Sequence, residues 1–520
     1  MADVLADNKM PSHSISDKFL PTVFILLLAS LGLVEGYQVL VLGPVGSRSL
    51  YHLCRALSEA LSQAGHSVTL LSSFEPSYSI PNVTEVSTGS RAVQQVNMFE
   101  GSRTPLRVYR WAMRVSEVIG RAMWTNEEVK ALWQRRRDFD AIVVIGYANE
   151  VAYPFLLDFE GLHVSLCTPG VEYLQVAQLG NRLPLSVVPA IFLPFDENMS
   201  FLERLVNPLA QLLTHYLYKF MVLPTAQRVV EEFFPGIPPL EDLSQGSQLT
   251  LINGHFALDT PVPLLPNQVE IGTINAREPQ PLPEDLAKFV EESGDAGVIY
   301  FSLGSIGRSS DMPKKYKDIL VEAFRSLPQR IVWKYEGHDL DLPPNVLTRP
   351  WLPQQDILGH PKTRLFISHC GNLGTQEAKY HGVPILGVPL TFDQHRNAAR
   401  LARKGCGTVL NWEDLSLTSI VDKVDMLLKD DSYRACMRAI SGALRDQKES
   451  PGERAVRWVE YLIRHRNSTL LKYPGERLHY LQYAMVDVWA VWAAVLVLWV
   501  WAAWTCVRVG CWRWRKEKRE

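Results

Sequence analysis

Residues 351–394 read WLPQQDILGHPKTRLFISHCGNLGTQEAKYHGVPILGVPLTFDQ, and this stretch decides the fold. Its centre, Leu365 to His369, is a short apolar run of strand length. Cys370-Gly371-Asn372 forms a turn, and Leu373 to His381 is a helix-forming run closed by Gly382 and Val383-Pro384. A strand that turns through glycine into a helix makes an anion site, because the first backbone N–H groups of a helix lack partners and carry positive partial charge. A diphosphate suits such a site. Gly371 and Gly374 let a ligand approach the backbone, and His369 at the strand's end can donate an imidazole N–H to the same oxygens. Glu377 falls about one helical turn further in, where a carboxylate accepts two hydrogen bonds from a ribose diol. Trp351 offers a flat face to a pyrimidine ring. Taken singly, each of these residues reads equally well as packing or capping; the combination points to a nucleotide.

The pattern W-x-P-Q, then H-C-G with Glu eight residues after the His, then D-Q, resembles the donor-binding signature of the UDP-sugar glycosyltransferases. The layout of the whole chain resembles the animal membrane-bound members of that family. The resemblance implies an α/β fold with two facing Rossmann-like domains of the GT-B type, inversion at the anomeric carbon, and no metal or cofactor beyond the UDP-sugar co-substrate. It further implies that Trp351 stacks on uracil and Gln354 reads the uracil or ribose edge. His369 and the amides around Gly371, Asn372 and Gly374 would hold the diphosphate, with Ser305 in a Gly-Ser turn beside it. Glu377 would take the ribose hydroxyls, and Asp393 and Gln394 those of the sugar. The family often has Asn or Ser where this chain has Leu373 and Gly374; those contacts come largely from the main chain.

Outward from this stretch, 520 residues allow two to four domains, and 47% apolar with 21% charged residues is ordinary globular composition. A net charge of -2 leaves no basic surplus to neutralise nucleic-acid phosphates. The seven cysteines are odd in number and scattered, which argues against a disulfide framework, and no His/Cys spacing suits zinc. Residues 1–36 read as a signal peptide, with an uncleaved anchor as the alternative. Sequons at Asn82, Asn198 and Asn467 agree with a lumenal body. From Tyr37 a strand, a Gly/Pro/Ser-rich turn, a helix from about Leu50 to Gln63 and a second strand open an α/β domain over 37–270. In it, His66 reads as a turn residue. Between Phe201 and Leu217 apolar residues recur at helical spacing, which favours core or domain packing over a membrane-leaning face or an acceptor-site lid.

A proline-rich linker, 271–290, leads to the donor-binding domain over 291–466, whose last helix, in the family, returns to brace the first domain. Val488 to Val507 is 20 residues without a charge, long enough to span a bilayer. The basic tail 508–520 then lies in the cytosol by the positive-inside bias. Lys516 and Lys518 resemble an endoplasmic reticulum retrieval signal, implying a single-pass type I protein of that membrane with its body in the lumen. The expected partners are a UDP-sugar, a small lipophilic acceptor and the membrane; a homo- or heterodimer stays open.

The first half departs from the resemblance where chemistry is expected. Transfer to a hydroxyl needs a base, and the base an orienting carboxylate. The family's His follows a turn that here reads Pro44-Val-Gly-Ser-Arg-Ser-Leu50, so Leu50 stands in its place. The family's Asp register maps Phe139-Asp140 onto apolar Ile145. His52 would substitute only if the helix began later, and Glu150 is a second candidate. Losing a general base costs about 10² to 10⁴ in rate, which a neutral amine acceptor escapes because its lone pair is already available. Three readings follow: an active transferase with an amine or already acidic acceptor, or with His52 or Glu150 recruited; a donor-binding pseudoenzyme that regulates a relative; and a membrane-anchored interaction protein.

Overall fold

The computed structural model describes residues 36–519 apart from 77, 91, 93–96, 100–103, 147 and 466–468. The expected leader, but for Gly36, and the sequon residue Asn467 lie outside the described residues.

Short β-rich apolar runs buried on both faces make parallel strands. In the first lobe these are β1 (Gln38–Gly43), β2 (Ser67–Ser72), β3 (Val83–Ser87), β4 (Ala141–Ile145), β5 (Leu162–Cys167), β6 (Leu249–Ile252) and β7 (Gln268–Glu270). They form one parallel sheet in the order β3-β2-β1-β4-β5-β6-β7. The period-two pleat sends Val39 and Val41 to one core layer and Leu40 and Leu42 to the other. Helix α1 (Arg48–Gln63) packs on the first of these layers. It starts at Ser47, whose Oγ accepts the Leu50 N–H at 3.3 Å, earlier than the sequence spacing predicts. Between β5 and β6 lies helix α2 (Phe201–Leu217), opened by a Ser200/Glu203 capping box.

The second lobe repeats the plan with β8 (Val298–Ser302), β9 (Arg330–Lys334), β10 (Val346–Arg349), β11 (Thr363–Ser368), β12 (Ile385–Gly387) and β13 (Gly407–Val409). Their order is β10-β9-β8-β11-β12-β13, again all parallel. Helix α3 (Asn372–His381) follows β11 and helix α4 (Gln394–Arg403) follows β12. The architecture is therefore the expected pair of facing Rossmann-like lobes. In such sheets ligands bind beyond the carboxyl ends of the strands, where the strand order reverses. Here the reversals fall between β1 and β4 and between β8 and β11, and the two crevices meet: Ser49 Oγ and Ser305 Oγ are 3.2 Å apart.

Helix α5 (Pro451–Arg464) belongs by sequence to the 291–466 stretch, yet Ala455, Val459 and Ile463 are buried in the first lobe's core. Arg454 donates to the Glu270 carbonyl at 3.1 Å. His66 is fully buried; its Nδ1 accepts from the Tyr37 N–H at 3.2 Å and its Nε2 meets Glu460 at 3.1 Å, so this turn residue also fastens α5. The cysteine reading needs one correction. Cys406 and Cys436 form a disulfide, because the turn after α4 and the helix Asp431–Arg445 lie side by side with Cα atoms 5.2 Å apart.

A second correction concerns α2. Its expected packing face is the one turned outward: Phe201, Leu202, Leu205, Leu209, Leu212, Leu213 and Tyr216 are exposed, while Asn207, Gln211 and Thr214 are buried. Periodicity marked the two faces correctly but could not say which one meets the protein. Helix α6 (Val486–Glu517) is the one described helix long and apolar enough to cross a membrane, and no residue of it is buried against the body.

Candidate active site

A cleft of about 870 Å³ lies between the lobes. On the second lobe's side the first turn of α3 faces it through Gly371, Asn372, Leu373 and Gly374. Gly371 is the N-cap, and no side chain caps the helix or places an acid in its first turn, so the free N–H groups stay open to an anion. The turn before it is held by Cys370 at φ 62°, a left-handed conformation that costs energy outside glycine. Phe392, just before Asp393, is at φ 56°. Neither strained residue was signalled by the sequence.

His369 stands beside this helix end. Its ring fills the space that a Cβ on Gly304 or on Gly371 would need, since either atom would lie 2.5 Å from the imidazole. Gly304 is at φ 80°, so two requirements fix glycine there. Burial holds the His369 pKa at about 4, with Lys334 adding to the shift, and its Nδ1 makes no full hydrogen bond. A neutral imidazole in this position has an N–H to offer a diphosphate. Gly374 is different: a Cβ there would touch nothing closer than 3.4 Å, so the protein itself does not demand glycine.

Glu377 lines the cleft and is held by the Gln354 amide and by Asn275 Nδ2 at 3.1 Å. Burial raises its pKa to about 7. Gln354 also accepts from Tyr300 Oη at 3.2 Å, so the residue expected to read a base or ribose edge is coupled to the expected ribose carboxylate. Trp351 is 48% exposed; the Arg48 guanidinium of the first lobe lies 4.7 Å from its ring centroid and Lys334 Nζ 5.8 Å. These two cations surround the expected base site and were missed, because their meeting with Trp351 is made only by tertiary contact.

Asp393 and Gln394 line the far part of the cleft. Burial raises the Asp393 pKa, and its Oδ2 accepts from Asn397 at 2.6 Å. Gln394 Oε1 accepts the Leu390 and Thr391 N–H groups at 2.7 and 3.0 Å, which shapes the turn leading into α4. The Asn372 side chain ties the lobes instead, donating to the carbonyls of Thr168 at 2.9 Å and Asn253 at 3.3 Å. Ser305 likewise reaches across to Ser49.

The first lobe contributes an apolar wall of Leu50, Tyr109, Trp111, Ile191 and Phe192, with Tyr218 among them. Ile145, which the sequence register sets where the family's carboxylate is expected, is 1% exposed and packs in the core with Cys54 and Leu166. The condition for His52 fails, since α1 begins earlier rather than later. His52 does reach the cleft, but its ring lies 6.3 Å from that of Trp351, at the end where the nucleobase is expected, and burial, with Arg48 and Arg55 adding to it, lowers its pKa to about 4. Glu150 does not line the cleft. It is 1% exposed behind Tyr218, whose hydroxyl donates to its Oε1 at 2.6 Å, and burial raises its pKa. Asn149 beside it pins the β1 turn through Val45, accepting its N–H at 2.7 Å and donating to its carbonyl at 2.9 Å.

Two facing doubly wound lobes, with an uncapped helix end and a histidine at the switch point of the second, define a GT-B glycosyltransferase. Solved structures agree on the fold. A UDP-glucosyltransferase from Polygonum tinctorium capable of glucosylating indoxyl, in complex with 3,4-dichloroaniline, matches with a TM-score of 0.55 at 15% identity, covering 84% of this chain and 99% of that one. The glycotransferase of kitacinnamycin matches with a TM-score of 0.52 at 18% identity, covering 83% and 99%.

The chain belongs to the UDP-glucoronosyl and UDP-glucosyl transferase family, whose model matches residues 52–520, and it is a UDP-glycosyltransferase. It is similar to UDP-glucosyltransferase 2 of Dactylopius coccus, with 34% identity over 87% of this chain and 89% of the relative. It is also similar to human 2-hydroxyacylsphingosine 1-beta-galactosyltransferase, with 28% identity over 89% and 87%.

Proposed function

We propose that the protein transfers a hexose from a UDP-sugar, with inversion and without a metal, to a small lipophilic acceptor, and that it favours nitrogen nucleophiles over alcohols. The observation that carries this reading is the apolar pair Leu50 and Ile145: one lines the cleft and the other is sealed in the core, where a base and its orienting carboxylate would be needed. An amine's lone pair attacks the anomeric carbon directly as the bond to the diphosphate oxygen breaks and UDP leaves with the electron pair. A tertiary amine has no proton to lose, so the missing base costs it nothing. The open N–H groups of α3 and the His369 N–H are suited to stabilising the leaving diphosphate. Gln354 and Glu377 would take the nucleoside, and Asp393 and Gln394 the sugar hydroxyls.

We further propose that α6 anchors the body on the lumenal side of the endoplasmic reticulum membrane. Exposed sequon residues at Asn82 and Asn198 and the Cys406–Cys436 disulfide are consistent with an oxidising, glycosylating compartment. The test offers the membrane-reconstituted protein UDP-glucose, UDP-glucuronate and UDP-galactose against panels of phenols and tertiary amines. Transfer to amines at higher kcat/KM than to phenols is expected. UDP binding without turnover of any acceptor would replace the reading with that of a donor-binding regulator.

A further inference from the structure

Helix α2 is laid on the body inside out. Its inward side is polar, and Asn207 on it is fully engaged: its Nδ2 donates to the Leu185 and Val188 carbonyls at 2.7 and 2.8 Å, and its Oδ1 accepts the Ala190 N–H at 2.7 Å. Its outward side is apolar, with Phe201 71%, Leu205 59%, Leu209 65% and Leu213 53% exposed, and Phe220 beyond the helix end 66% exposed. No residue from Leu205 to Thr214 is charged, which leaves about 15 Å of helix without a solubilising group. An apolar stripe of this extent on a folded body marks a surface that something covers.

The position of the stripe identifies what covers it. The loop beneath α2 is continuous with Gly180–Arg182, and on those residues lies the segment that leads into α6. Arg182 donates to the Leu478 carbonyl at 2.8 Å, and its guanidinium lies 5.0 Å from the Tyr483 ring. Arg182 is three residues from Leu185, at most about 11 Å of chain, and Tyr483 is three residues from the start of α6. The exposed Leu478, Leu481 and Met485 continue the apolar surface between them. A bilayer crossed by α6 therefore begins where α2 is fastened.

Resting on the reading of α6 as a membrane span, we infer that α2 lies in the interface of that same bilayer, on the side of the folded body, with its Leu and Phe face among the acyl chains. A helix with one apolar and one polar face takes this position when its polar side is satisfied from above, which here the protein does instead of water. The chain continues from α2 into Tyr218 and Val222, which line the cleft, so the acceptor chamber's wall is continuous with the lipid-facing helix.

The test uses the full chain reconstituted in phosphatidylcholine vesicles, with C506S and C511S removing the exposed thiols. A polarity-sensitive dye is attached at L209C or, as a control on the far lobe, at E322C. Blue-shifted emission at position 209 that nitroxide-tailed lipids quench, with water-like unquenched emission at position 322, is expected. In a second protein carrying L205E and L212E, both exposed substitutions that leave the polar inward contacts intact, the dye at 209 should lose the shift and the quenching. Water-like emission at 209 while the chain resists alkaline carbonate extraction would overturn the inference and leave the anchor reading standing. Self-quenching between labelled copies without any response to nitroxide lipids would also overturn it, in favour of a second copy on α2. Release by carbonate would remove the anchor reading and the inference together.

Discussion

Leu50→His is the perturbation that bears most directly on the chemistry. Leu50 is the third residue of α1, partly buried against the first core, and borders the cleft with its N–H already taken by Ser47 Oγ. Replacing it changes no backbone contact. The loss of partly buried apolar surface costs about 1 kcal/mol, which a lobe of this size registers as about 3 °C in Tm. The gain is larger, since a general base contributes about 10² to 10⁴ in rate, or about 3 to 5 kcal/mol off the barrier, for an acceptor that must lose a proton. Ile145 cannot orient the new imidazole, so the lower end of that range is expected. Adding Ile145→Asp would place a carboxylate against Cys54 and Leu166 and cost more stability than the orientation returns. The assay compares kcat/KM for a phenol series and for tertiary amines in wild type and L50H. Phenol transfer should rise about 100-fold, with amine transfer unchanged. An L50H protein that folds, binds UDP and shows no gain with any phenol would refute the placement of the missing base.

Glu377 should impose a pH dependence on donor binding. Its pKa, raised by burial to about 7, lies above the ordinary carboxyl value, so ionising it costs the folded protein roughly 3 kcal/mol as pH rises from about 4.5 through 7. In the proposed role the ionised form has both oxygens free to accept from the ribose hydroxyls, so UDP-glucose affinity measured by calorimetry should increase from pH 6 to 8, and E377Q should flatten that rise. His369→Ala removes the imidazole donor beside α3 and should lower kcat by about 100-fold in steady-state assays. Reducing the Cys406–Cys436 bond reopens a loop with a sequence separation of 30 and should cost about 3 to 4 kcal/mol, read as a lower Tm by calorimetry. Asn207→Ala leaves three backbone groups without their partner and should destabilise the first lobe by about 2 to 3 kcal/mol in urea unfolding.

By itself the sequence determined whatever a local run of residues decides. Leu365 to Gly382 reads as strand, turn and helix because its strand, turn and stop signals are all local, and the observed elements, Thr363–Ser368 and Asn372–His381, differ from the reading only at their ends. The long uncharged run at the carboxyl end was legible for the same reason. Tertiary structure decided which way things face and what they meet. Phe201 to Leu217 has the same amphipathic period whether its apolar side is turned in or out, and only the Leu185, Val188 and Ala190 backbone groups, which require Asn207, settle that it is turned out. Glu150 lies near the expected carboxylate in sequence, yet Tyr218 intervenes between it and the cleft. Arg48 and Trp351, and Cys406 and Cys436, become neighbours only because separate elements pack together. Spacing along a chain fixes period and cap; the direction of a side chain and its distant partner are set by packing, which no local pattern encodes.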